Sequence, residues 1–336
     1  MVKKVFITGV AGLLGSTLAK HLLKTGDYQI IGVDNGIGGV ESNVPEAVEY
    51  YKADVLSTEV LKTLMKDVDT VFHAAALPYE GLSVFSPTIT ATSIVSGTLS
   101  TAIAAISNNV RLFINCSSMA RYGDQTPPFT EDMPIKPVDP YGLAKVQAEQ
   151  HLELLSQIHG LNYVTVVPHN VIGVGQRYFD PFRNVVGIMI NRTLQDKSII
   201  VYGDGEQERS FSDANDCILA IEKIINTDRN ICGHIYNIGP DHNEMTILAL
   251  AKLVAKTCNK PEQITFHTGR PREVKYAYCS SAKIRTEFNY NASIPVETTI
   301  AQMVNWIRPI VREFEYHLPL ELVNDKTPKT WTDKLI

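Results

Sequence analysis

Tyr141 and Lys145 stand four residues apart in Tyr141-Gly142-Leu143-Ala144-Lys145, at the head of the apolar-periodic run Val146 to Leu155. That pattern predicts a helix, and helix positions i and i+4 share a face. The phenol and the ammonium would then point the same way. A free tyrosine titrates near about 10, too high for a base at neutral pH. A fixed cation beside it favours the phenolate, giving a proton acceptor for a sugar or alcohol hydroxyl. Taken alone, the spacing fits two neighbours on a half-exposed helix equally well.

A second group of residues bears on the first. Thr8-Gly9-Val10-Ala11-Gly12-Leu13-Leu14-Gly15 joins the β-rich run Val5-Phe6-Ile7 to a helical pattern from Ser16 to Leu23. Strand, glycine turn and helix are the setting of a dinucleotide fingerprint. Gly9 permits the tight turn, Gly12 lets the backbone approach a pyrophosphate, and Gly15 lets helix and strand pack closely. The anion would rest on the helix N-terminus. Asp34 closes the next strand, Gln29 to Asp34. There an acidic side chain accepts hydrogen bonds from a ribose diol and repels a 2′-phosphate. No arginine precedes Arg111, so NAD is expected rather than NADP.

The elements that must position these groups follow in order. Glu49 to Val55 reads as a strand ending near Asp54, and Thr70 to Ala76 as a strand running into small residues. His73 reads as structural. Ser86 to Asn108 carries a helical pattern, with Ser86 as N-cap and Pro87 at the first position. Arg111 to Ser118 is a strand ending in two hydroxyls, and Asn162 to Val167 is a sixth strand. Alternating strands and helices define an α/β fold with a doubly wound parallel sheet. Ligands bind beyond the carboxyl ends of such strands. Gly9, Asp34, Asp54, Ala74 and Ser118 all fall at those ends. After Gly173 loops lengthen and elements shorten, which predicts a smaller substrate-covering region. Asp213 and Thr246 are expected to cap helices there. Arg209 and Arg270 suit diphosphate oxygens, because guanidinium forks match that geometry.

Composition excludes several classes. The chain has 336 residues, 44% hydrophobic and 20% charged, with a formal net charge of −5. Lysine and arginine are scattered, so nucleic acid and anionic membrane surfaces are not expected partners. No apolar run is expected to reach the roughly 20 residues of a membrane span. The N-terminus reads as a strand, not a signal peptide. Five widely spaced cysteines fit core thiols in a reducing cytoplasm, with no metal site expected.

As a set, Thr8-Gly9-x-x-Gly12-x-x-Gly15, Ser117-Ser118-Met119-Ala120-Arg121-Tyr122-Gly123 and Tyr141-x-x-x-Lys145 make the chain resemble the extended short-chain dehydrogenase/reductases. It is most similar to their NAD-dependent nucleotide-sugar epimerases, of the UDP-glucose 4-epimerase type. The similarity runs over about residues 3–310 and includes Asn170-Val171-Ile172-Gly173, Arg183-Asn184-Val185-Val186 and Tyr202 to Arg209. The resemblance implies an isomerase. Tyr141 would take the sugar 4-hydroxyl proton, Lys145 would hold the nicotinamide ribose, and Ser118 would bind the 4-oxygen. It implies NAD contacts from Gly9, Gly12, Leu13, Leu14, Gly15, Asp34, Asn35, Asp54, Val55, Ala74, Leu77, Tyr141, Lys145 and Pro168. It implies substrate contacts from Ser118, Asn170, Asn184, Val185, Tyr202, Arg209, Arg270 and Ala277.

The same resemblance separates relatives. The 4,6-dehydratases carry Asp-Glu where this chain has Met119-Ala120, and the decarboxylases carry Glu at Ala120. Neither Met nor Ala can move the protons those reactions need. An Asn common near the nicotinamide is replaced by Ile94, with Ser93 as the neighbour able to compensate. Pro168-His169 replaces an aromatic residue of the pattern. Small Ala277 would admit a 2-acetamido group, so UDP-glucose, UDP-galactose and their N-acetylated counterparts are all expected substrates. The expected domains are an NAD-binding domain over 1–173, with 210–240 returning to it, a UDP-sugar region over 174–310, and a tail over 311–336. The helices around 86–108 and 141–159 would form a homodimer contact. A sugar dehydrogenase that consumes NAD and a non-catalytic NAD-binding module remain as alternatives on this fold.

Overall fold

In the computed structural model, which describes residues 2–336, β1 (Lys3–Thr8), α1 (Leu13–Thr25), β2 (Tyr28–Asp34), β3 (Glu49–Lys52), α2 (Thr58–Leu64) and β4 (Thr70–His73) come first. Next are α3 (Glu80–Ser83), α4 (Pro87–Ala91), a π-helical stretch Thr92–Ser96, α5 (Gly97–Ser107), β5 (Leu112–Cys116), α6 (Pro140–His159) and β6 (Tyr163–Pro168). The second half carries β7 (Val171–Ile172), α7 (Val185–Leu194), β8 (Ile199–Tyr202), β9 (Glu208–Ser210), β10 (Ser212–Asp213), α8 (Ala214–Ile225) and β11 (Ile235–Ile238). It ends with β12 (Glu244–Thr246), α9 (Ile247–Cys258), β13 (Ile264–His267), β14 (Tyr276–Ala277), α10 (Ala282–Phe288), α11 (Val296–Ile307) and α12 (Lys329–Thr332).

Seven parallel strands form one sheet in the order β11-β6-β5-β4-β1-β2-β3. Its inner strands β1, β4, β5 and β6 are almost wholly buried, as a sheet covered on both faces requires. On one face Leu18 and Leu22 of α1 meet Ile218 and Ile221 of α8. On the other, Leu61 of α2, Ala102 and Ala105 of α5 and Leu152 of α6 pack together. The strand order reverses between β1 and β4, which opens a crevice at their carboxyl ends. α8 and β11 come from segment 210–240 and rejoin this layer, with Tyr236 opposite Val166. A second core, including Met189, Leu250, Val254 and Ile300, holds α7, α9 and α11 around the β8–β13 pair.

Two local expectations are corrected. Ser86 does not cap its helix, because its hydroxyl donates to the Pro319 carbonyl at 2.8 Å. The Glu321 carboxylate, from the tail, accepts from Thr88 N and Ile89 N at 2.8 and 3.0 Å instead. The continuous helical stretch Pro87–Ser107 is also 21 residues long and apolar enough by composition to cross a bilayer. The sequence obscured this because its threonines and serines break the apolar run. They return their hydroxyls to carbonyls one turn back, as Thr98 and Thr101 do at 2.7 Å each. In this fold the helix covers the sheet and lies between α2 and α6. Asp213 and Thr246 cap α8 and α9 as expected, accepting from Asn215 N at 2.7 Å and Ala249 N at 3.0 Å.

Candidate active site

One cleft of about 620 Å³ runs from the glycine turn to the second core. At the turn, Gly9 has φ +72°, and a Cβ there would lie 2.9 Å from Ala75 N. A Cβ on Gly15 would lie 2.2 Å from the Gly9 carbonyl oxygen, so α1 packs against the turn only through glycine. Gly12 caps α1 without a side-chain hydrogen bond, which leaves first-turn N–H groups to receive an anion. Asp34 is buried at the end of β2 and accepts from Ala11 N at 3.1 Å and Gly36 N at 2.8 Å. Each carboxylate oxygen keeps a further lone pair for a ribose hydroxyl. Burial raises its pKa, while those two N–H donors and the Arg183 charge lower it. Ala74, Ala75 and Ala76 form a small-residue floor. A dinucleotide fits this half on all these counts.

The proton-handling residues stand midway along the cleft. Asp139 caps α6, its carboxylate accepting from Gly142 N at 2.8 Å, and Pro140 takes the first helical position. Tyr141 and Lys145 therefore share the face turned to the sheet, both buried. Lys145 Nζ donates to the Cys116 carbonyl at 2.7 Å and lies 5.9 Å from the Tyr141 ring centroid. Ser118 follows β5 and caps the short turn Met119–Arg121, accepting from Ala120 N at 3.2 Å. Burial pushes the Tyr141 phenol well above its ordinary range. The Ser118 hydroxyl pulls it down, and Cys116, Glu80 and Asp139 add to the rise. The lowering expected from Lys145 does not appear: burial dominates, and the ammonium donates to the Cys116 carbonyl. Burial lowers the Lys145 pKa. His73 is structural as read. Its ring bridges the Thr8 and Thr98 hydroxyls at 2.8 and 3.1 Å, and burial drops its pKa to about 3.

The second half supplies the far end. Asn184 caps α7, its Oδ1 accepting from Val186 N at 3.0 Å, and Asn170 Nδ2 donates to the Ser210 carbonyl at 3.0 Å. Arg270 pairs with Glu273 at 2.9 Å and stacks 4.8 Å from the Tyr202 ring centroid. Arg209 Nη2 donates to the Val274 carbonyl at 2.7 Å.

All fourteen residues expected to contact the cofactor line this cleft, as do Ser118, Asn170, Asn184, Val185, Tyr202, Arg209 and Arg270. Ala277 does not. It is buried in β14 and packs with Met119, Tyr122 and Phe129, reaching the cleft only through Met119. At positions 93 and 94, Ser93 lines the cleft and accepts from Leu77 N at 3.1 Å, whereas Ile94 is buried against Ala120 and Tyr141. Sequence reasoning missed Glu80, Asp139, Phe182, Trp331 and Ile336, which also line the cleft. Asp139 before Pro140 is a legible helix start. The others are brought in by tertiary packing and carry no local signal.

Residues 5–239 match the NAD dependent epimerase/dehydratase family. The chain belongs to that family and is an NAD-dependent enzyme of the epimerase/dehydratase class. It is 27% identical to the UDP-glucose 4-epimerase of Mycolicibacterium smegmatis, over 91% of this chain and 98% of that one. It is likewise 27% identical to the dTDP-glucose 4,6-dehydratase of an Actinoplanes species, over 91% and 98%. Among solved structures it is similar to Thermotoga maritima UDP-glucose 4-epimerase with UDP-glucose, with TM-score 0.86, 25% identity, and 92% and 100% of the two chains covered. It is also similar to Bacillus cereus UDP-glucuronic acid 4-epimerase in complex with UDP-glucuronic acid and NAD, with TM-score 0.86, 26% identity, and 91% and 99% covered.

Proposed function

We propose that the protein is a nucleotide-sugar 4-epimerase that inverts C4 of a UDP-hexose through a 4-keto intermediate. The observation that carries this reading is the placement of Ser118, Tyr141 and Lys145 midway along one cleft. The dinucleotide-shaped half lies to one side and Arg209 and Arg270 to the other. A sugar whose diphosphate meets the arginines brings its ring to the phenol. Tyr141 takes the proton of the 4-hydroxyl, and Ser118 hydrogen-bonds the same oxygen. Bound NAD⁺ supplies a reversible hydride acceptor, so no external oxidant is consumed. The nucleotide stays held by Asn170, Asn184 and Tyr202 while the hexose turns, and Tyr141 then returns the proton.

Met119 and Ala120 support epimerisation over dehydration, because neither side chain can donate or take a proton beside Ser118. Ala277 packs behind Met119 and so gives no basis for choosing between plain and N-acetylated hexoses. Exposed Ile103 of α5 and Leu143, Leu154 and Ile158 of α6 form an apolar face, which we assign to a homodimer contact. Light scattering at micromolar concentration checks this by the mass in solution. The test of the function is incubation with UDP-glucose, UDP-galactose and their N-acetylated forms without added NAD. C4 epimers should form with no net NADH, and Tyr141→Phe should stop conversion while UDP still binds. Retained turnover in Tyr141→Phe refutes the assigned base, and stoichiometric NADH release points to a dehydrogenase.

A further inference from the structure

The stretch between the base and the arginines is bounded by α3. Its Ser83 hydroxyl accepts from Tyr141 N at 3.1 Å, so one end is fixed to the base. At the other end, a Cβ on Gly81 would lie 3.1 Å from Arg270 Nη1 and 3.5 Å from Trp331 Cη2. α3 therefore links the start of the base-bearing helix to Arg270 and Trp331, beside the space a hexose would occupy under the proposed function. Two side chains on or against this helix line the cleft and neither give nor take a proton in the proposed reaction: Glu80 and Trp331.

Trp331 comes from the tail and is held firmly. Its ring stands edge-on to Phe182 at 5.3 Å and to Phe85 at 5.8 Å. The neighbouring Thr330 hydroxyl lies 2.5 Å from the Tyr202 hydroxyl. The indole Nε1 has no hydrogen-bond partner among the described residues. Glu80 makes no ion pair within 4.0 Å among the described residues; burial raises its pKa, and the charges of Arg209 and Arg270 oppose that rise and favour the carboxylate. Both arginines are engaged elsewhere, Arg270 with Glu273 and Arg209 with backbone carbonyls. The sugar end thus offers a carboxylate without an ion pair and an aromatic wall, while Arg183, 5.5 Å from the Tyr79 ring centroid, and Arg272 also line the cleft.

We propose that Glu80 and Trp331 are specificity-determining residues that admit a neutral hexose and reject a uronic acid. Glu80 accepts hydrogen bonds from sugar hydroxyls and repels a carboxylate at C5. Trp331 packs on the apolar C–H face of the ring. This rests on the UDP-hexose reading and deepens it by naming the sugar class.

The experiment uses the NAD-loaded enzyme with UDP-glucose and UDP-glucuronate. Conversion is followed for each, and binding of UDP alone and of each sugar is measured by calorimetry. The parent should favour UDP-glucose at least 100-fold in kcat/KM. Glu80→Gln should move that ratio toward UDP-glucuronate at least tenfold. Trp331→Ala should raise KM for UDP-glucose at least tenfold with UDP binding kept, and Trp331→Phe should recover most of the loss. Comparable turnover of both sugars by the parent, or an unchanged ratio in Glu80→Gln, overturns the proposal while leaving the epimerase reading intact. Absence of binding to any UDP-sugar overturns both.

Discussion

Gly142 lies against Ala120 so closely that a Cβ at position 142 would come 2.6 Å from the Ala120 carbonyl oxygen. Gly142 follows the proposed base, and Ala120 sits in the turn that Ser118 caps. The contact sets how near the two reacting side chains stand. Gly142→Ala must push helix and turn apart, since the obstructing atom is backbone. We expect a loss of about 1–3 kcal/mol in stability, the usual range for overpacking. Turnover should fall at least tenfold with KM for UDP-sugar little changed, because the misplaced groups act on the reaction more than on binding. Urea unfolding and steady-state kinetics check both.

Asp139 ties the helix start to pH. Burial and then the Glu80 charge raise its pKa to about 7, against the ordinary 3.8. Across that window the native state keeps a proton that the unfolded chain has released. Stability therefore falls as pH rises from about 4 to about 7. Asp139→Asn keeps an acceptor for Gly142 N and should remove this fall, seen as a flatter melting temperature against pH. It also removes a negative charge that raises the Tyr141 pKa. The acid limb of kcat should then move to lower pH, by up to about one unit.

The sheet and its ligand edge were legible because each strand announces itself. Short β-rich runs ended in Gly9, Asp34, Ala74 and Ser118, and parallel pairing places such ends on one edge. The shared face of Tyr141, the proposed base, and Lys145 was legible for the same reason, since Pro140 and the i, i+4 spacing define a helix face. Ala277 packs with Met119, Tyr122 and Phe129 outside the cleft lining, a placement that a gapless count along the chain cannot show. The tail was silent because Trp331 acts through packing on Phe85 and Phe182, and no local pattern marks a segment that returns across roughly 250 residues. The cap on Pro87–Ser107 was misassigned likewise: Ser86 has the right residue type, and Glu321 takes the role from a distance.

Arg121 and Glu149 form a nearly solvent-free ion pair, at 2.8 Å, that joins the Ser118 turn to the middle of α6. The Ser117 hydroxyl donates to the same carboxylate. Removing one member leaves the other charged and buried, which costs about 3–5 kcal/mol. Glu149→Ala should be destabilised by that order in urea unfolding. Arg121→Met with Glu149→Leu, which removes both charges, should recover most of it. A double-mutant cycle over these variants measures the coupling.

Glu321 links the tail to the cofactor half of the cleft. Among the described residues its carboxylate is the only side-chain acceptor for the first N–H groups of the stretch Pro87–Ser107. That stretch presents Thr88, Ile89, Thr92 and Ser93 to the cleft, and Ser93 holds Leu77 N. Glu321→Ala removes two backbone hydrogen bonds and a negative charge at a helix N-terminus, effects worth about 1 kcal/mol together at an exposed site. Glu321→Gln keeps an acceptor oxygen and should lose only part of this. If the tail serves merely to cover apolar surface, both variants would lower the melting temperature and leave ligand affinities alone. If it also positions the helix, NAD release should quicken in Glu321→Ala, because the π-helical stretch carrying Ser93 lies one turn beyond the lost cap. Rates of NADH fluorescence loss after dilution separate the two, and we expect the faster release in Glu321→Ala, with Glu321→Gln between it and the parent.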